Sequence, residues 1–284
     1  MSERDFRDLL SIPERSQKIV DILESYPISE SAFSDKTRSP LAPSDYMSII
    51  ESLLQSLYGK EGRDENLDPH EPEFVSADPV YILRERSMRI WHEGLKKISF
   101  ISLYPHSMIK LIDRGELVFS DSRMGDLFRE LLNTRKILKD KARDYLSKSQ
   151  MLIKVIINMT YGMFYNSRFG SKTGIFCRGM NRVLEWSGRV LRDLAEVEDR
   201  NIVSVDVDDI YLYDINDRVL EALKTIDIPY EVSDIAKIMW VDKKKLVELD
   251  SEGKVIRNTI GLYKRSDTYY DRNFGELPHF GKSS

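Results

Sequence analysis

Hydrophobic spacing divides the chain into helical and strand-like stretches. Over residues 11–26 (SIPERSQKIVDILESY), Ile19, Ile22 and Leu23 form a helical stripe; Ser11 and Glu14 stand at capping-box spacing, and Pro13 suits a first turn. Residues 27–45, rich in Ser and Pro, read as a connector. Met47, Ile50, Leu53, Leu54 and Leu57 predict a second helix, capped by Ser44 or Asp45. The acidic stretch 59–79 carries Gly and Pro and reads as a loop and internal boundary. Ile98, Phe100, Ile101 and Leu103 then predict a short strand that stops at Tyr104-Pro105, with a helix from about His106 to Arg114. Leu127, Leu131, Leu138, Ala142 and Tyr145 recur at helical spacing over 124–148. A second helix from Met151 to Phe164 completes a helical hairpin with Arg and Lys along one side. Residues 179–197 predict another amphipathic helix, with Val183, Leu184, Val190, Leu191 and Leu194 inward.

Two stretches read as β-hairpins. In Ile202–Tyr213 (IVSVDVDDIYLY), β-rich flanks surround Asp206-Val207-Asp208-Asp209, which places the carboxylates at a hairpin tip. In 237–263, Lys243, Lys244 and Lys245 share one strand, Asp250–Gly253 makes the turn with Gly253 supplying a positive φ, and Val255 to Tyr263 returns.

Charge changes the picture by its distribution. The chain of 284 residues has a formal net charge of −4, with 41% hydrophobic and 32% charged residues, which excludes a disordered or collagen-like protein. Residues 1–80 hold 8 basic and 17 acidic side chains, residues 123–172 hold 11 and 4, and residues 237–265 hold 8 and 4. Two basic blocks in an acidic chain suit contact with a polyanion, and suit solvated helix faces equally well. A single cysteine, Cys177, gives no internal disulfide and no zinc set. The charged N-terminus is unlike a signal peptide, and no apolar run approaches the roughly 20 residues of a membrane span. The expected location is cytoplasmic or nucleoid-associated, with no membrane partner.

Three aspartates at a hairpin tip repel one another unless a cation neutralises them, and a hard divalent ion such as Mg²⁺ or Mn²⁺ suits oxygen ligands. Taken alone, the same four residues read more readily as an ordinary polar turn. Their company is more specific. Ser102-Leu103-Tyr104-Pro105, then Lys154…Asn158…Tyr161-Gly162, then Asp206-Val207-Asp208-Asp209, then Lys243-Lys244-Lys245 occur in that order. The series resembles the palm and fingers of family B DNA polymerases: DxxSLYP, KxxxNSxYG, DTDS and the KK(K/R)Y segment. It covers roughly residues 95–265.

The resemblance implies an α+β fold, with a polymerase-like palm (an antiparallel sheet backed by helices) and a helical-hairpin fingers subdomain. It assigns 1–80 to an acidic, mainly helical extension, 81–121 to the first part of the palm, 122–166 to the fingers, and 167–284 to the second part of the palm. It implies nucleotide binding by Arg135, Lys139, Lys154, Asn158, Tyr104, Ser102 and Leu103. It further implies DNA binding by Tyr161, Gly162, Lys243, Lys244 and Lys245, and metal binding by Asp206 and Asp208. Tyr161 is equally readable as core, and the lysines as a solvated strand edge.

The departures carry as much as the matches. Ser99 stands where the first motif supplies its catalytic Asp, which removes a carboxylate from the implied Mg²⁺ or Mn²⁺ pair. Asp209 replaces the usual Ser, and strand alternation is expected to point it away from Asp208. Met159, His106 and Leu246 are smaller departures, and neither an exonuclease signature nor a thumb is expected. The implied partners are primer–template DNA, dNTP and a second polymerase subunit supplying thumb and exonuclease. Two functions follow: a DNA-binding palm-and-fingers protein whose catalysis is impaired by Ser99, or an active subunit of a split polymerase.

Overall fold

The computed structural model describes residues 12–28, 41–59, 81–141, 147–165, 175, 177–198, 200–242, 245–259, 263–265, 268–271 and 275–276. In chain order the elements begin with α1 (Glu14–Ser25), α2 (Pro43–Tyr58), β1 (Tyr81–Leu83), β2 (Trp91–Phe100), α3 (Leu103–Asp113) and β3 (Val118–Phe119). Next come α4 (Arg123–Lys141), α5 (Ser147–Tyr165), β4 (Cys177–Arg178), α6 (Asn181–Val197), β5 (Ile202–Asp206) and β6 (Asp209–Leu212). The last are α7 (Asp217–Ile226), β7 (Tyr230–Asp242), β8 (Lys245–Leu249), β9 (Val255–Asn258), β10 (Tyr263–Arg265), β11 (Thr268–Asp271) and β12 (Gly275–Glu276). The fold is α+β. Two compact units divide it: Met1–Ser76 with Tyr104–Val183, and Ala77–Leu103 with Leu184–Ser284.

The first unit is mainly helical. Helix α1 buries Ile19, Val20 and Leu23, with no side chain capping its start at Pro13; Ser11 lies outside the described residues. Helix α2 starts at Pro43, which needs no N–H in a first turn. Neither Ser44 nor Asp45 is therefore its N-cap; Asp45 sits a turn in and accepts the Ala42 N–H at 3.4 Å. Both helices pack on α4 and α5 through apolar side chains and a few buried polar pairs. Thr134 donates to Ser16 Oγ at 2.9 Å. Thr160 donates to the Ile156 carbonyl, so the Tyr46 hydroxyl 2.6 Å from Thr160 Oγ1 is the donor of that pair, and its burial raises its pKa. Lys148 donates to the carbonyls of Glu24 and Tyr26. Ala142 and Tyr145 lie outside the described residues. Gly179 follows β4 at φ +95°, and a Cβ there would fall 2.1 Å from the Glu116 carbonyl oxygen, so the close approach admits only glycine.

The second unit holds a seven-stranded sheet of order β1-β5-β6-β2-β7-β8-β9, every pairing antiparallel. Alternation sorts its side chains. Ile98 and Phe100 of β2, Val205 of β5, and Ile210 and Leu212 of β6 pack under Leu191 and Leu194 of α6 and Val219, Leu223 and Ile226 of α7. The opposite face carries a second apolar cluster, with Leu95, Tyr211, Ile238, Trp240 and Leu246.

Two expectations need correction, and a third holds. Strand β2 begins at Trp91 and ends at Phe100, so Leu103, Tyr104 and Pro105 open helix α3 rather than close a strand. The break is made at Ser102, whose φ of +54° leaves the strand, and proline is at home in a first helical turn. Residues 237–242 belong to the long strand β7, and the strand that leads into the predicted turn is β8, described from Lys245; Lys243 and Lys244 lie outside the described residues. The predicted turn at Asp250–Gly253 is present, with Gly253 at φ +81° and its N–H on the Asp250 carbonyl.

Candidate functional site

Strand β2 and the β5–β6 hairpin build the carboxylate site by register. Asp206 lies opposite Asp209 across the hairpin, and Asp209 lies opposite Ser99 across the next pairing. Cross-strand partners project to one face, so the three side chains share it. Ser99 Oγ donates to Asp209 Oδ1 at 2.6 Å, the length of a charge-assisted bond. The Phe100 N–H donates to the Asp208 carbonyl at 2.9 Å and ties the strand end to the hairpin tip.

The tip is strained. Val207 has φ +60°, a conformation that a two-residue hairpin turn demands and that a β-branched side chain resists. Ser102, two residues beyond Phe100, is also left-handed at φ +54°. Two non-glycine residues in this region, at adjoining ends of one site, are the kind of strain that functional sites hold.

Charge around the hairpin is mixed. Lys97 Nζ stands 3.7 Å from Asp209 Oδ2, and Arg257 Nη2 stands 3.6 Å from Asp206 Oδ2. Arg257 also donates to the Tyr211 hydroxyl at 3.1 Å. Glu248 lies opposite Arg257 in the β8–β9 register and is buried. Its pKa is raised, first by burial; Lys97 and Arg257 pull it down and Asp209 pushes it up. Asp208 as a residue is exposed, yet partial desolvation of its carboxyl, and then the charges of Asp209 and Asp206, raise its pKa. Lys97, Tyr211, Glu248 and Arg257 were not singled out in the sequence. Lys97 was legible as the same-face neighbour two residues before Ser99; Arg257 carried no signal, because only the sheet returns it to Asp206.

The basic helices lie in the other unit. On α5, Lys154 and Asn158 are exposed one turn apart, with Gly162 a further turn on. Tyr161 on the same helix stacks on Tyr104 of α3, with ring centroids 5.6 Å apart and planes 12° from parallel. On α4, Lys139 is exposed and Arg135 partly buried, with burial lowering the Arg135 pKa. Leu103 is buried beside the sheet core. Lys245 pairs with Asp242 at 3.5 Å; Lys243 and Lys244 lie outside the described residues. Among the described residues, no group of three or more His, Cys, Asp or Glu side chains is arranged to hold a metal ion, and no helix is long and apolar enough to cross a membrane.

No protein-family model matches the chain, and no curated protein matches it. Among solved structures it is similar to the family B DNA polymerase of the hyperthermophilic archaeon Pyrobaculum calidifontis, with a TM-score of 0.49 and 14% identity over 85% of this chain and 36% of that one.

Proposed function

We propose that the protein is a polymerase-like palm-and-fingers module that binds primer–template DNA and dNTP, with nucleotidyl transfer impaired at Ser99. The observation that carries this reading is the pairing of Ser99 with Asp209 beside a strained aspartate hairpin. The strand and hairpin that would supply catalytic carboxylates adjoin, and one of them presents a hydroxyl. Losing a charge of that kind at a reacting centre costs several kcal/mol of transition-state stabilisation, each 1.4 kcal/mol being about tenfold in rate. Helices α4 and α5 serve as fingers, with Lys139, Lys154 and Asn158 presented to the triphosphate. Lys243, Lys244 and Lys245 contact the duplex backbone without reading sequence.

Primer extension and duplex binding test this together. The expected result is no extension in Mg²⁺ or Mn²⁺, with primer–template affinity that falls as salt rises and falls again in Lys154→Ala. Ser99→Asp is expected to recover measurable extension. Binding that is absent or indifferent to salt overturns the reading. A second reading, an active subunit of a split polymerase with partner-supplied thumb and exonuclease, is favoured by Asp209, whose carboxylate lies beside Ser99. Wild-type extension abolished by Asp208→Ala selects it.

A further inference from the structure

Two of the three carboxylates of the hairpin already face side-chain cations, and that conflicts with the pair of divalent ions the polymerase resemblance implies. Asp209 is held by Ser99 at 2.6 Å and Lys97 at 3.7 Å, and Asp206 faces Arg257 at 3.6 Å. Asp208 is an exposed residue of the turn, and among the described residues no three acidic side chains are arranged as ligands of a shared ion must be. The donor set, as built, does not fit a two-ion centre.

Arg257 is the telling residue. It sits on β9, four strands away from β6 in the sheet order. On a flat sheet that is about 19 Å, beyond the joint reach of an arginine and a tyrosine. Yet its guanidinium bonds the Tyr211 hydroxyl on β6 at 3.1 Å and approaches Asp206 on β5. The sheet therefore curls, and its edge strand delivers a cation onto the hairpin. Lys97 comes from the neighbouring strand β2, its side chain 24% exposed and its partner Asp209 19% exposed. Half-buried pairs of this kind are screened far less than surface pairs.

We propose that Lys97 and Arg257 are built-in counter-cations of the aspartate hairpin, doing by side chains the charge neutralisation that divalent ions do in a two-metal site. With Ser99 in place the hairpin is then held without metal, and removing those cations opens it to a metal ion. The proposal stands apart from the DNA-binding reading, since no nucleic acid enters its test.

The test is Mn²⁺ binding by calorimetry or electron paramagnetic resonance, with thermal melting in chelator and in excess Mn²⁺, on the full chain. The wild type is expected to melt at the same temperature in both and to show no stoichiometric Mn²⁺ site. Lys97→Gln/Arg257→Gln is expected to melt lower in chelator, to recover with Mn²⁺, and to bind Mn²⁺ at least about tenfold more tightly than wild type. Should that variant fail to fold, the single variants each carry half of the test. Lys97→Arg/Arg257→Lys, which keeps both charges, is expected to follow wild type. A tight Mn²⁺ site in the wild type, or folded Gln variants that ignore Mn²⁺, overturns the proposal.

Discussion

The two faces of the seven-stranded sheet are made by the same strands and differ in what they keep. On β2, Ile98 and Phe100 alternate with Lys97 and Ser99; on β6, Ile210 and Leu212 alternate with Asp209 and Tyr211. The first set is buried under α6 and α7 and is wholly apolar. The second set starts from an apolar floor at Tyr211 and Trp240 and ends in a group of charges around the hairpin tip. Packing alone explains the covered face. It does not explain a face on which three aspartates crowd one turn, a valine is left-handed and two cations are brought in to balance them. One face is built for stability, and the other retains arrangements that stability alone would remove.

That contrast is sharpest under truncation. Ile210→Ala on the covered face leaves a cavity among fully buried neighbours and is expected to cost about 2–5 kcal/mol by denaturant unfolding. Ser99→Ala, one strand away on the other face, removes a single charge-assisted bond and is expected to cost about 1–2 kcal/mol. Equal losses would mean that the charged face is as deeply structural as the core, and the contrast would fail.

Val207 tests the same contrast with the opposite sign. A β-branched residue at φ +60° carries about 1–2 kcal/mol of strain that glycine lacks, while glycine costs about 0.5–1 kcal/mol more chain entropy on folding. Val207→Gly is therefore expected to be neutral or to stabilise by up to about 1 kcal/mol. Any loss well beyond that in chemical denaturation would place Val207 in packing rather than in strain.

Much of this arrangement could be read from the sequence, because it rests on local pattern. The α6 stripe of Leu191 and Leu194, the β5–β6 hairpin with its aspartate tip and the Gly253 turn all follow from spacing and turn chemistry, and all are present. The failures share one cause. Pro105 reads as a strand stop, although proline serves equally in a first helical turn; what decides is the conformation of Ser102, which no periodicity encodes. Residues 237–242 belong to β7 rather than to the hairpin of the Asp250–Gly253 turn, because β7 pairs with β2 over 230–239 on one side and with β8 on the other. Arg257 reaches Asp206 across 51 positions through sheet curl, and such closure is a property of the whole sheet rather than of any window.

The smallest expected effect decides whether the charges on the open face are balanced. The Asp208 pKa is raised above its ordinary 3.8 by partial desolvation and by Asp209 and Asp206, while Lys97 pulls it back. A carboxyl with a raised folded pKa favours folding while protonated, and that contribution disappears as pH climbs through the folded value. At neutral pH the ionised Asp208 thus opposes folding, and Asp208→Asn, which cannot ionise, is expected to melt slightly higher than wild type. The gap should close as pH falls to the ordinary aspartate range, where both side chains are neutral. Melting curves from neutral pH into acid give both the sign and the window. A variant that melts lower at neutral pH would mean that a cation compensates Asp208 outright. If adding Mn²⁺ widened that deficit, the cation would be a metal rather than Lys97, and the two faces would differ by a ligand and not by side chains alone.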